Sequence, residues 1–265
     1  MTPLTFHGAA RIFTPFSRSD TGVALIISQL GFVLVFWLLS PSQIIPTPME
    51  IVSAWNDMAA NHGLLLELAA SALTIWKAIA WSTLIAMGIA CLSTMSFFRT
   101  AAQWLTSLRF LGFAGITFLF TLWTSDGASL KLWLLTFGMT VFLLTNMLST
   151  VDSVTQQDID YARTMRLGPW RMAYETIVRG KLADMLDLVR QNAAMGWTLL
   201  SMVEGLVRSE GGIGTLLLNQ NRHFHLAAVF AIQITILVYG LAQDYLMKLF
   251  RDTLCPYVKL SQIRG

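Results

Sequence analysis

The feature that most limits how this chain can fold is its succession of long apolar runs, interrupted by a single long polar segment, Asp152 to Lys181. A bilayer core is crossed by about 20 apolar residues in a helix that rises about 1.5 Å per residue, and several runs here reach that length. The polar segment holds Asp152, Asp158, Asp160, Arg163, Arg166, Arg171, Glu175, Arg179 and Lys181. A hydrocarbon core accepts such charges only with strong compensation, so this segment lies outside the membrane. Hydrophobic residues make up 55% of the chain and charged residues 12%, against roughly 25% charged in soluble domains. The chain therefore reads as an all-α integral membrane protein. No polar stretch is long enough for a separate soluble domain, which makes 1–265 one transmembrane domain. The net charge of +3 is scattered between the spans, which argues against a nucleic-acid partner and leaves the lipid bilayer as the surrounding one.

Six transmembrane helices are expected. The first, Gly22 to Leu39, starts far from Met1 and lacks a small-residue cleavage site, so it reads as a retained span. Next, Pro46-Thr47-Pro48 reads as a turn, and Met49, Val52, Trp55 and Met58 suggest a short amphipathic helix at the outer interface. The run from Gly63 to Phe98 is too long for one perpendicular span. Lys77, snorkelling to the headgroups, marks a boundary that leaves span two at Ile79 to Phe97, with a surface extension before it. Span three is expected at Ala102 to Trp123, and the short loop Thr124 to Gly127 leads to span four, Leu132 to Leu148. Spans five and six follow the polar segment, at Met185 to Leu206 and Leu226 to Met247. Arg11, Arg18, Arg99, Lys248, Arg251, Lys259 and Arg264 then share a side with the polar segment, while Lys131, Arg208 and Arg222 fall on the other. By the positive-inside rule both termini and the polar segment are cytoplasmic.

Within the polar segment, after Gly168-Pro169, the residues Trp170, Ala173, Tyr174, Ile177 and Val178 recur at helical spacing and form one apolar stripe. Arg171, Glu175 and Arg179 occupy the opposite face with alternating sign, each neighbouring pair worth a few tenths of a kcal/mol. An apolar stripe outside the membrane needs cover. The chain's own helix ends are one candidate, and a cytoplasmic partner is the other.

Span five carries weakly polar and small residues among its apolar ones. At about 100° per residue, Gln191, Ala194, Thr198, Ser201 and Gly205 fall within about 80° of one another. Such a stripe can line a pathway, or it can let helices approach closely in lipid. Glu204 must be solvated, paired or functional; Arg208, four residues on, is its simplest partner, and a place on the pathway is the alternative. Arg109 is expected to reach the cytoplasmic interface, the competing reading being a water-filled cavity in which it meets an anion. Catalytic constellations are missing from the sequence: His7, His62, His223 and His225 all lie outside the spans, and there is no Gly-rich phosphate loop. No enzyme activity, metal or cofactor is expected. Cys91 and Cys255 form no disulfide framework or metal-ligand spacing.

Asp160-Tyr161-Ala162-Arg163-Thr164-Met165, followed by Trp170-Arg171, resembles the cytoplasmic EAA loop of ABC importer permeases, in which a Glu-Ala-Ala-Arg-Thr-Leu type sequence leads into a short coupling helix. Trp197, Glu204 and Gly211-Gly212-Ile213-Gly214 are similar to the last part of nitrate, sulfonate and taurine type permeases; Pro46-Thr47-Pro48, Ser71-Ala72-Leu73 and Asn146 to Asp152 fit the same pattern. The likeness runs from Ile45 to Leu246 and rests on order and spacing. It departs at Arg166 and Arg179, where the motif has a glycine and a late proline, and at Leu108 to Gly112, where span three usually starts proline-rich. Gly168-Pro169 can supply the helix break instead.

The resemblance implies a type I importer fold and a multi-pass protein of the bacterial or archaeal cell (inner) membrane. It implies a permease subunit paired with a second one, like or unlike, together with two cytoplasmic ATP-binding subunits and an external substrate-binding protein. ATP would be bound by the partner subunits. Asp160, Tyr161, Ala162, Arg163, Thr164, Gly168, Trp170 and Tyr174 would form the ATPase-coupling loop, within about 152–182. The solute would be small and anionic, with Gln191, Thr198, Ser201 and Glu204 as candidates for bordering its path. The alternative function is a non-transporting membrane scaffold that docks a cytoplasmic protein through the same loop.

Overall fold

The structure is a computed structural model that describes residues 46–165, 168, 171–172 and 174–256, together with 27–29, 31–32, 35 and 37. It divides into two compact units, Met1–Glu50 and Ile51–Gly265. In the first unit most of the expected span Gly22 to Leu39 lies outside the described residues, and its described positions are helical. Helix α1, Pro48–Asn61, begins in this unit, has its residues from Ile51 on in the second, and starts with a reciprocal cap. The Thr47 N–H donates to the Glu50 carboxylate at 2.9 Å, and the Glu50 N–H donates to Thr47 Oγ1 at 3.4 Å.

In the second unit the chain continues through α2 (Leu64–Leu92), α3 (Ser96–Ser107), α4 (Phe113–Trp123), α5 (Gly127–Asp152), α6 (Gln156–Thr164), α7 (Leu182–Leu206), α8 (Ile213–Arg222) and α9 (Leu226–Leu254). Among the described residues there are helices and no strands. Among the described residues three helices, α2, α5 and α9, are long and apolar enough to cross a membrane, and α3 with α4 makes a fourth crossing if that bent pair is one span. These helices make the chain a membrane-embedded, multi-pass, all-α protein. The expected spans four, five and six lie inside α5, α7 and α9.

The core is a three-helix seam. Ile75, Ala78 and Ala86 of α2, Leu135, Met139 and Leu143 of α5, and Ala193 and Leu200 of α7 are all buried in one cluster. Small residues set the spacing: a Cβ added at Gly196 of α7 would lie 3.0 Å from Met139 Cε and 3.2 Å from Ile75 Cδ1, so α7 approaches both neighbours closely. Large apolar side chains such as Leu66, Leu84, Phe118, Leu122, Leu237 and Leu241 are exposed. On a soluble protein a surface of this kind would mark an interaction site; here it is the surface that lipid covers.

Three expectations are corrected. Span two does not run on to Phe97, because its helix α2 ends at Leu92; the expected extension before Lys77 is part of the same helix, reaching back to Leu64, and its residues Leu64, Ala72 and Ile75 belong to the core and not to an outer surface. Lys77 is simply an exposed position on that helix. Span three is not straight: the stretches Phe97–Phe110 and Gly115–Trp123 meet at 114°. The first of them, carrying Arg99, Gln103 and Thr106, is amphipathic, and extended backbone at Leu111 and Gly112 separates it from the apolar α4. In α1 the buried residues are Ile51 and Met58, whereas Met49 and Val52 of the expected stripe are exposed. Burial follows the seven-residue helical repeat and not the three-residue one.

Helix ends and charges then order the two ends of the bundle. At one end Arg99 pairs with Asp152 at 2.8 Å. Nearby, Arg190 grips Asp244 through two bonds at 2.8 and 2.9 Å, and Arg251 reaches Asp187 at 2.6 Å, so two ion pairs tie α7 to α9. At the other end Asp126 caps α5 by accepting from the Ser129 N–H at 3.0 Å. That backbone bond holds the Asp126 carboxyl below the ordinary aspartate range.

Candidate functional site

The end of the bundle near Asp126 contains a buried polar cluster assembled from four helices. Glu204, near the end of α7, is fully buried. Its Oε1 accepts from Ser71 Oγ of α2 at 2.6 Å, and its Oε2 accepts from the Gly214 N–H at 2.7 Å. Lys131 of α5 stands 3.7 Å from Oε1 and donates to the Gly211 carbonyl at 3.0 Å. Glu67 accepts from the Gly212 N–H, and Ser71 Oγ accepts from the Ile213 N–H at 2.9 Å. The opening amides of α8 are thus satisfied by side chains of α2 and α7, where a helix otherwise leaves donors unpaired. Carboxylates at this position also meet the positive end of the α8 dipole.

This cluster depends on the local backbone. Gly211 and Gly212 have φ of +66° and +111°, conformations that glycine adopts without strain. At Gly212 an added Cβ would collide with the Glu204 carboxylate itself. The sequence reading paired Glu204 with Arg208, and the structure overturns that pairing. Arg208 lies beyond the end of α7 in a short 3-10 turn and donates from Nε to the Gly205 carbonyl at 3.2 Å, while Lys131, far away in sequence, takes the carboxylate. Lys131, Ser71 and Glu67 carry no local signal that would assign them to one site.

The four candidate pathway residues of α7 separate into two groups. Gln191 and Thr198 are exposed, and Ser201 is half-buried, donating to the Trp197 carbonyl at 2.9 Å. With Ala194, Met195, Met202 and Gly205 they form one uncovered face, as the helical spacing predicts. Glu204 lies on the opposite, buried face. One edge of the uncovered face leads into a cleft of about 530 Å³ between α7, α8 and the start of α9.

At the far end of the bundle the polar segment folds into α6 and a single π-helical turn, Tyr174–Arg179. The π turn is closed by the Gly180 N–H donating to the Glu175 carbonyl at 3.0 Å. Ala162 is buried, while Asp160, Tyr161, Thr164 and Tyr174 are exposed, Tyr161 by 68% and Tyr174 by 57%. Over the expected stripe Arg171 and Met172 are α-helical, and Tyr174–Arg179 take the wider π turn. Glu175 and Arg179 pair at 3.2 Å as the spacing predicts. The Arg163 side chain and the residues Arg166, Pro169, Trp170 and Ala173 lie outside the described residues; Gly168 accepts from the Met172 N–H at 2.8 Å. Tyr161, Met165, Arg171, Glu175 and Arg179 line a cleft of about 550 Å³.

Arg109 is exposed in the turn between α3 and α4, its guanidinium 4.9 Å from the centre of the Phe110 ring. His62, His223 and His225 lie in turns, and no cluster among the described residues is arranged to hold a metal ion. No family model matches the chain, and no curated protein sequence matches it either.

Proposed function

We propose that the chain is the membrane-spanning permease subunit of an ATP-driven ABC importer for a small anionic solute. The observation that carries this reading is the polar segment after α5. It bears the Asp160-Tyr161-Ala162-Arg163-Thr164 sequence and folds as a short helix and turn with Tyr161, Met165 and Tyr174 exposed, the first two lining an open cleft. Aromatic side chains in water on a charged segment are what a docking surface presents, since buried aromatics dominate interface energetics. In this reading the segment is cytoplasmic and enters a groove on an ATP-binding subunit, while a second permease subunit lies against the uncovered face of α7. ATP binding and hydrolysis in the partner would then drive rigid helix movements that open the path to either side.

The test is copurification. The chain, expressed with candidate ATP-binding subunits of the same cell, should hold one of them through a tagged pull-down, and the complex should show hydrolysis that rises with an external binding protein and its solute. Stable association without any solute-stimulated hydrolysis would instead mark a scaffold that docks a cytoplasmic protein.

A further inference from the structure

The bend between α3 and α4 opens a gap in the packing. Two segments that meet at 114° cannot both lie along α5, and the wedge they leave is an apolar cavity of about 520 Å³ between α2, α3, α4 and α5. On α5 its wall runs from Trp133 to Leu144, about 16 Å at 1.5 Å per residue. Ile89 of α2, Leu105 of α3 and Phe120 of α4 close the sides. Trp123 lines it too and is 87% exposed, so the cavity opens at that edge toward the surface that lipid covers. Among the described residues no charged side chain lines it.

One polar atom in this wall stands apart. A threonine within an apolar helix can return its hydroxyl to the carbonyl four residues back, as Thr140 does to Thr136 at 2.6 Å and Thr145 to Val141 at 2.9 Å. Thr124, at the cavity edge, likewise donates to the Phe120 carbonyl at 2.8 Å. Thr136 does not follow them. It is 2% exposed and lines the cavity, and its Oγ1 has no hydrogen-bond partner among the described residues. Buried polar groups are paired in the great majority of cases, so the fitting occupant is apolar along its length and carries one acceptor.

We propose that the cavity holds one acyl chain of a glycerophospholipid, whose ester carbonyl accepts a hydrogen bond from Thr136 Oγ1. Spread over 16 Å, a volume of about 520 Å³ is roughly 6 Å across, which admits one extended hydrocarbon chain and is too narrow for a helix of about 10–12 Å. That width excludes the chain's own first span and a helix of a second subunit. The depth agrees with an ester. Trp123 and Trp133 mark the headgroup level, where tryptophan is enriched, and Thr136 lies three residues further along α5, about 5 Å deeper. An ester carbonyl accepts and does not donate, which matches the lone donor. The bound chain fills the wedge, so the lipid completes the packing of α3 and α4 on α5.

The experiment is native mass spectrometry of the full chain, purified through nanodiscs of diester phosphatidylcholine or of its diether analogue, which lacks the carbonyls. The expected result is one lipid retained per chain from the diester nanodiscs and retention about 2- to 10-fold lower from the diether ones, the worth of one hydrogen bond. Thr136→Val should lower diester retention to the diether level and leave diether retention unchanged. Leu108→Trp, which fills the cavity from the turn after α3, should abolish both. Thermal melts separate binding from folding: without phospholipid Thr136→Val should melt at or slightly above the wild type, since it removes an unpaired buried hydroxyl, whereas added diester lipid should raise the wild type more. Diester phosphatidylglycerol should be retained as phosphatidylcholine is, and retention that follows the head group would overturn the proposal. So would equal retention of diester and diether lipid, or retention that neither variant alters. Absence of any retained lipid would overturn it too, and a cross-link from Leu108→Cys to the first span or to a second copy would then show protein in the cavity.

Discussion

Replacing Lys131 with methionine tests the buried cluster most directly. The side chain of Lys131 is 7% exposed and that of Glu204 0%, and the ammonium stands 3.7 Å from Glu204 Oε1. Methionine keeps the length and apolar stem but removes both the counter-charge and the donor to the Gly211 carbonyl. Breaking one side of a buried pair costs about 3–5 kcal/mol, because the remaining charge is left uncompensated. Glu204 keeps its bonds from Ser71 and Gly214, so the lower end, about 3 kcal/mol, is the expected loss. By the scaling of globular proteins of this size that corresponds to a melting temperature lowered by roughly 6–12 °C. The assay is thermal unfolding of the purified chain in one detergent, with Arg208→Gln alongside, where an exposed arginine holding one carbonyl should cost below about 1 kcal/mol. Glu204→Gln should cost about 1–3 kcal/mol, since an amide either loses the Ser71 bond or sets its NH2 against the Gly214 N–H. The double variant Lys131→Met with Glu204→Gln should lose less than the sum of the two, as partners in one network do. A Lys131→Met protein that melts with the wild type, while Arg208→Gln is strongly destabilised, would refute the assignment.

Other consequences can be checked separately. Gly212→Ala should destabilise by about 2 kcal/mol or more in the same melts, through positive φ and collision with Glu204; an unchanged melt would show that the α8 entry can rearrange freely. Tyr161→Ala and Tyr174→Ala should leave the lone subunit as stable as the wild type, because both side chains are more than half exposed, yet weaken pull-down of an ATP-binding subunit; Trp170→Ala is expected to do so more strongly than Glu175→Ala, as a buried aromatic contact is worth about 2 kcal/mol or more and an exposed ion pair below about 1. Single cysteines at Asn221 and Asp158 should label from outside and from inside the cell respectively, and the reverse pattern would invert the orientation. Thr198→Leu or Ser201→Leu should block solute uptake with assembly intact; normal uptake in both would assign the open face of α7 to helix packing alone.

The class of the protein was legible in the sequence because lipid as a solvent imposes a local rule. Every buried backbone group must be bonded within its own helix, so length and apolarity of a run suffice, and the runs at Leu132 to Leu148 and Leu226 to Met247 lie within helices apolar enough to cross; Met185 to Leu206 lies within one helix, α7, which does not reach that apolarity. The uncovered face of Gln191, Thr198 and Ser201 was legible for the same reason, since the angle between residues on one helix needs no knowledge of its neighbours. Boundaries were less secure. Lys77 looked like the edge of the membrane, but one long side chain can reach outward from the middle of a helix; only the burial of Leu64 and Ala72 in the core cluster shows that α2 belongs to the bundle from its first turn.

Residue spacing along a single helix therefore carries the legible part. The partner of Glu204 was decided by the tertiary structure alone. Coulombic attraction depends on distance in space, and along the chain Arg208 is one helical turn away while Lys131 is not a neighbour at all. Folding α5 against α7 in opposite directions brings the start of one to the end of the other, sets Lys131 at 3.7 Å and leaves Arg208 facing the cleft with Arg222. The glycines at Gly211 and Gly212 complete the exchange, because a chain turning with positive φ can lay three successive amides on the side chains of α2 and α7, an arrangement that no pattern within α8 specifies.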